Sequence, residues 1–267
     1  MKYIDLQAII SKSDSKLLNS FPRVFVKLLE KLIKQEELNQ LLTKYKSYEG
    51  IHFLPKVLEE LNIKIDIEGL ENLPESGKCF FVANHPFGVI DGLMLTRIVS
   101  EKYGDIKSIG NEAFMYVPNL KPMIAAVNVF GRNSRDYLLG LEEVYASNTP
   151  ITHFPAGLVA RKDNGIVKDS EWHKSFVTKA LAHQRDVVPF HFSGQNSRLF
   201  HSIYRIRKAL GIKLNLELSL LPHEIFNKKN KTFKVKIGKP ISYKNFENTY
   251  SHKEWADKIR MQVHNMN

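Results

Sequence analysis

Residues 80–92, FFVANHPFGVIDG, place a histidine and a carboxylate where they can work as a pair. An apolar run ends in Asn84 and His85, a Pro-Phe-Gly turn follows, and Asp91 opens a new apolar pattern of helical period. An imidazole changes charge within the physiological range and accepts a proton at neutral pH. A carboxylate against one ring nitrogen fixes the tautomer and stabilises the imidazolium that forms. On one continuous helix the two residues would lie ~120° apart and could not meet. Pro86 and Gly88 break such a helix, so the loop can fold back and join them. The same spacing fits a plainer arrangement, with Asp91 as a helix N-cap and His85 as a strand-end residue held by backbone groups.

Two further clusters carry charge. In residues 129–136, VFGRNSRD, Gly131 and Arg132 fall between a strand and a helix, where backbone amides and a guanidinium make an anion site. In residues 153–169, HFPAGLVARKDNGIVKD, the small residues Ala156 and Gly157 after Pro155 allow a ligand to approach closely, and Arg161, Lys162 and Lys168 add cations. Both clusters also fit ordinary surface charge.

Such residues meet only if the strands before them end together. Residues 63–69 alternate strictly, and strands are predicted at 79–83, 106–109, 126–130, 151–154 and 187–192, with another around Phe233, Val235 and Ile237. Helices are predicted at 91–102, 134–145 and 172–183, in the basic segment LFHSIYRIRKALG, and from Ser251, where Glu254 completes a capping box. This alternation gives the fold class α/β, a mixed sheet flanked by helices on both faces. Ligands in such folds gather at the C-terminal ends of strands. His85, Arg132, residues 155–157 and Ser193-Gly194 are therefore expected at one edge. Residues 1–60 read as a helical N-terminal extension and 61–267 as the α/β domain. Within 21–45, the stripe Val24, Leu28, Leu29, Leu32 and Ile33 suits docking on that domain, the commoner fate, or lying on an anionic membrane.

Composition narrows the partners. The 267 residues are 43% hydrophobic and 25% charged, ordinary for a globular chain, but the net charge of +11 points to lipid headgroups, nucleic acid or an acidic substrate. No helix-turn-helix, zinc or RNP signature is present, so nucleic acid is not the expected partner. No G-x-S-x-G elbow marks a serine hydrolase. Cys79 is the only cysteine, which excludes an intramolecular disulfide and a cysteine metal cluster and fits a reducing compartment. The N-terminus does not read as a secretory signal, and no run approaches the ~18 apolar residues of a membrane span.

Taken in order, NHPFGVIDG, VNVFGR, FPAGLVARK and VVPFHFSGQNS resemble the blocks of the lysophospholipid (glycerolipid) acyltransferase family over about residues 61–240. The closest resemblance is to its bacterial hemolysin-like branch, which includes lyso-ornithine-lipid acyltransferases. That branch shares the Asn-His-Pro-x-Gly-x-x-Asp-Gly spacing, Phe-Pro-Ala-Gly, an Asp-x-x-Trp matched here by DSEW, and Phe-x-Gly-x-Asn-Ser. The main family has four residues between histidine and aspartate, where this chain has five.

The resemblance implies transfer of an acyl chain from acyl-CoA or acyl carrier protein to a lysolipid hydroxyl. His85 would be the base and Asp91 its orienter. Asn84, Gly131, Arg132, Pro155, Ala156, Gly157, Arg161 and Lys162 would bind substrate. It implies no cofactor and no metal, membrane lipids as partners, and a cytoplasmic enzyme peripheral on the inner face of the membrane. Ala156 stands where the main family has glutamate and Leu158 where the branch often has an acid. That departure points away from glycerol phosphate, toward an acceptor of the ornithine- or glycine-lipid type, with lysophosphatidic acid as the other candidate. It equally motivates an alternative, a non-catalytic lipid-surface protein.

Overall fold

The computed structural model describes residues 3–11, 22–127, 135–163, 165–213, 215–247 and 250–266. Among them the strands are β1 (Lys64–Glu68), β2 (Cys79–Ala83), β3 (Lys107–Asn111), β4 (Ile124–Val127), β5 (Ile151–His153), β6 (Arg161–Asp163), β7 (Ile166–Lys168), β8 (Asp186–Phe192) and β9 (Thr232–Ile237). The helices are α1 (Leu6–Ser11), α2 (Arg23–Leu32), α3 (Gln35–Lys44), α4 (Phe53–Glu60), α5 (Val89–Tyr103), α6 (Arg135–Ala146), α7 (Ser175–Ala182), α8 (Arg198–Ala209), α9 (Leu221–Asn227) and α10 (His252–Asn265).

Seven strands form one sheet in the order β1-β9-β8-β2-β5-β3-β4, and β6 and β7 make a separate hairpin. Strand β2 pairs in parallel with β8 and β5, and β3 in parallel with β5 and β4. Strand β9 is antiparallel to β8, which makes the sheet mixed as expected. Every residue of β2 is buried. A central strand covered on both faces reads as a continuous apolar run, and CFFVA is one. Phe81 and Val188 enter the core on the face that carries α5 and the N-terminal helices, whereas Phe80 and Val187 enter the opposite core with α7 and α10.

The N-terminal stripe divides: Ile33 is buried and Leu32 packs against the cluster of Val159, Phe200 and Leu220, whereas the start of the stripe faces solvent. The chain turns at Lys34, whose φ of 55° is left-handed, so α2 and α3 are two helices rather than one. Leu38, Leu41 and Leu42 of α3 join the core, as do Leu54 and Leu58 of α4. On α2, Val26 is buried but Val24 and Leu28 are 80% and 61% exposed. The hairpin was legible only as a basic loop, because three-residue strands are too short for a period to register.

Arg185 ties one layer together. Its side chain is fully buried. Its guanidinium donates to the carbonyls of Tyr145 (2.7 Å), Thr149 (2.9 Å), Val144 (3.0 Å) and Ser147, and so caps the C-terminal end of α6. Burial pulls its pKa down to about 10, still far above neutrality. Replacing Arg185 with Met leaves those carbonyls unmet, so urea unfolding is expected to show a loss of roughly 3 kcal/mol. A loss under about 0.5 kcal/mol contradicts this role.

Candidate active site

His85 lies two residues beyond the end of β2, and Asp91 is the third residue of α5, the helix beginning two residues earlier than its sequence pattern indicates. The five-residue loop, 84–88, does fold back. His85 Nδ1 sits 3.1 Å from Asp91 Oδ1, with the carboxylate fully buried and the imidazole 16% exposed. Asp91 also meets the plainer expectation. Its Oδ2 accepts the amides of Phe87 (2.8 Å) and Gly88 (3.2 Å), and its Oδ1 accepts that of Gly92 (2.9 Å). A carboxylate has lone pairs enough to cap a helix and orient an imidazole at once. Gly88 is required at the bend, since its φ is +90° and a Cβ there would lie 2.7 Å from Leu221 Cδ2.

A face of the imidazole stacks on Phe154, with ring centroids 4.1 Å apart and planes inclined by 25°. His85 is thus held between a buried carboxylate and an aromatic face. It lines two adjoining apolar cavities. One, of about 140 Å³, runs between α5 and β3 past Gly92, Phe114 and Met123. The other, of about 520 Å³, passes Leu38, Leu42, Phe53, Leu218 and Leu221. Both also touch Gly88, Val89, Leu93 and Gly157. The imidazole therefore stands where space for a long apolar chain meets the end of the sheet.

The remaining predicted residues divide. Gly157 lines both apolar cavities beside His85. Pro155 and Ala156 offer carbonyls to the His173 amide and to the Ser170 hydroxyl, and so hold the turn. Asn84 exchanges two hydrogen bonds with Phe192, donating to its carbonyl (2.9 Å) and accepting from its amide (2.7 Å), which extends the β2–β8 pairing. Arg161 donates to buried Glu217 (2.9 Å), a single carboxylate that it shares with Arg207 (2.8 Å). Lys162, its neighbour on the strand, lines a third cavity of about 710 Å³ of mixed polarity with Asn84, Lys168, Asp169 and Arg260. Gly131 and Arg132 lie outside the described residues.

Sequence reasoning missed the supports. Asp169, 2% exposed, accepts the His85 amide (3.1 Å) on Oδ1 and the Trp172 indole N–H (3.0 Å) on Oδ2. Gly194, with φ of +132°, lets Phe87 pack where a Cβ would lie 2.6 Å from its ring, and Asn196 donates to the Phe87 carbonyl (3.3 Å). The blocks DSEW and FSGQNS signalled these residues without saying what they brace. Among the described residues no group of three or more His, Cys, Asp or Glu could hold a metal ion, and no helix is long and apolar enough to cross a membrane.

A family model described as Acyltransferase matches residues 8–267. The chain is 40% identical over 264 residues to the lyso-glycine lipid O-acyltransferase of Phocaeicola vulgatus, covering 98% of this chain and 95% of that protein. It is 36% identical over 258 residues to the protein of the same name from Bacteroides thetaiotaomicron, covering 96% and 95%. The fold is similar to the crystal structure of PlsC, the 1-acyl-sn-glycerophosphate acyltransferase of Thermotoga maritima. That superposition has a TM-score of 0.50 over 98% of this chain and 86% of that one, at 16% identity.

Two histidines near the site are kept neutral. Burial, with His173 and His85 nearby, pushes His153 down to about 3. Burial, with Arg260, His191 and Lys168, pushes His264 down to about 4. In the unfolded chain both return to the ordinary value near ~6.5, so the unfolded state binds more protons as the pH drops below it. Their contribution to stability is complete above that pH and is lost as pH falls toward 4. Unfolding free energy should therefore fall between pH 7 and 4.5, and fall less steeply in the double variant His153→Gln, His264→Gln. Equal slopes for the two proteins count against these shifts.

Proposed function

The chain belongs to the acyltransferase family, and from that premise we propose that it moves a fatty acyl chain from a thioester, acyl-CoA or acyl carrier protein, to the hydroxyl of a lyso-glycine lipid. It is an enzyme that transfers acyl groups, which sets aside the non-catalytic reading. The near full-length likeness to two lyso-glycine lipid O-acyltransferases supports a lysolipid acceptor. The observation that carries the catalytic reading is the His85–Asp91 contact at the meeting of two apolar cavities.

A hydroxyl is a poor nucleophile at neutral pH. With Asp91 favouring the proton on Nδ1, His85 Nε2 keeps a lone pair. It removes the hydroxyl proton as the oxygen attacks the thioester carbonyl and returns the proton to the departing thiolate, which is worth ~10²–10⁴-fold. Asp91 steadies the imidazolium between the two steps. The amides of Phe87, Gly88 and Gly92 are committed to Asp91, so the developing oxyanion is met by other donors.

A glycine acylated through its nitrogen carries a carboxylate and no phosphate. An acid at position 156 or 158 would repel that headgroup, and this chain has Ala156 and Leu158 there. Cations at Lys162 and Lys168 suit it. The enzyme meets its lipids at a membrane surface, where the exposed Val24 and Leu28 can insert while Lys27 and Lys31 reach the headgroups.

Incubating the purified protein with acyl-CoA or acyl carrier protein thioesters and a panel of lysolipids should release thiol fastest with lyso-glycine lipid. Preference for lysophosphatidic acid would reassign the acceptor. His85→Ala should lower turnover at least ~10²-fold with the fold intact, and near-normal turnover in that variant rules out His85 as the base.

A further inference from the structure

Both main-chain groups of His85 are held by the two residues that bracket the hairpin. Its carbonyl accepts from the amide of Ala160 (2.7 Å), immediately before β6. Its amide donates to Oδ1 of Asp169 (3.1 Å), immediately after β7. The β2–β8 register ends at Ala83 and Phe190, so the sheet supplies no further partner at this point. Asp169 is itself fixed. Its second oxygen accepts the Trp172 indole, and its own carbonyl accepts from Arg260 (2.8 Å). Nothing in general acid–base chemistry at His85 calls for this second carboxylate, and a buried acid is costly to keep.

We infer that Asp169, braced by Trp172, is a positioning residue for His85: it holds the peptide of the proposed base so that its ring stays between Asp91 and Phe154. The inference rests on the catalytic reading of His85 given above. Asp169 contacts the main chain of His85 and acts through it. Its loss lets that peptide turn, carrying the ring away from Asp91 Oδ1 and from the cavity mouth. Because displacements of ~1 Å in a reacting group can cost ~10²-fold in rate, the effect falls on the chemical step. The Asp-x-x-Trp spacing then has a physical reason, since one short turn sets the indole N–H against the carboxylate that serves the base.

The test compares Asp169→Ala, Asp169→Leu and Asp169→Asn in the full chain, with kcat and both KM values scaled to folded protein. Removing the acceptor, in the Ala or the nearly isosteric Leu variant, should lower kcat at least ~10-fold with the KM for the thioester within twofold. Asn keeps one oxygen for the His85 amide but sets its NH2 group against the Trp172 indole N–H, so it should recover only part of the rate. Amide hydrogen exchange at His85 gives a readout independent of activity: the amide is protected in the unaltered protein, and protection is lost without the acceptor. A folded Ala or Leu variant with kcat within twofold of the parent overturns the inference. So does rapid exchange at His85 in the unaltered protein, which applies even if neither variant folds. Failure of the acyl-transfer reading looks different, as a parent protein that acylates no lysolipid while its His85 amide stays protected.

Discussion

The Asp91 carboxylate is the interaction on which the site depends. A charge taken wholly out of water must be met on every side. Here the amides of Phe87, Gly88 and Gly92 and the ring of His85 meet it. These groups come from the strand end, the bend and the first turn of α5. None is in place unless the junction closes completely, and that closure also seats the imidazole at the apolar cavities. Helix capping and the histidine–carboxylate pair are thus one arrangement.

Around that junction, hydrogen bonds continue the work of the sheet beyond its edge. Asn84 takes the place of a backbone rung toward β8, Asn196 holds the Phe87 carbonyl, and Ala160 and Asp169 grip the His85 peptide from the hairpin. A buried backbone group without a partner is costly, so each loop is fixed by what its neighbour offers. The result is a histidine on irregular backbone with the constraint of a regular element. Flexibility is better tolerated farther out, where α2 presents apolar side chains to solvent.

Much of this was legible in the chain. The apolar runs at β2 and β8, the alternation at β1 and β9, and the capping box at Ser251 and Glu254 follow local rules of period and hydrogen bonding, and the structure carries each. The parallel strands β2, β5 and β8 bring His85, Gly157 and Gly194 to one edge because parallel neighbours end on the same side. The break at Lys34 was not legible, since a single left-handed residue leaves no period to read. Nor was the commitment of Arg161 to Glu217, 56 residues away, because an ion pair between distant segments has no local signature.

By itself the sequence determined the residue types and the local geometry. It set a histidine after a strand, an acid at a helix start, a bend that only glycine permits, and an excess of cations. Tertiary structure decided which of those cations pair with buried acids, where the apolar cavities open, and what holds His85. It gave Asn84 to the sheet, Arg161 to Glu217 and Asp169 to the His85 amide. The reason is range: period, capping and turn chemistry act over a few residues, whereas matching a buried donor with its acceptor depends on packing segments far apart in the chain.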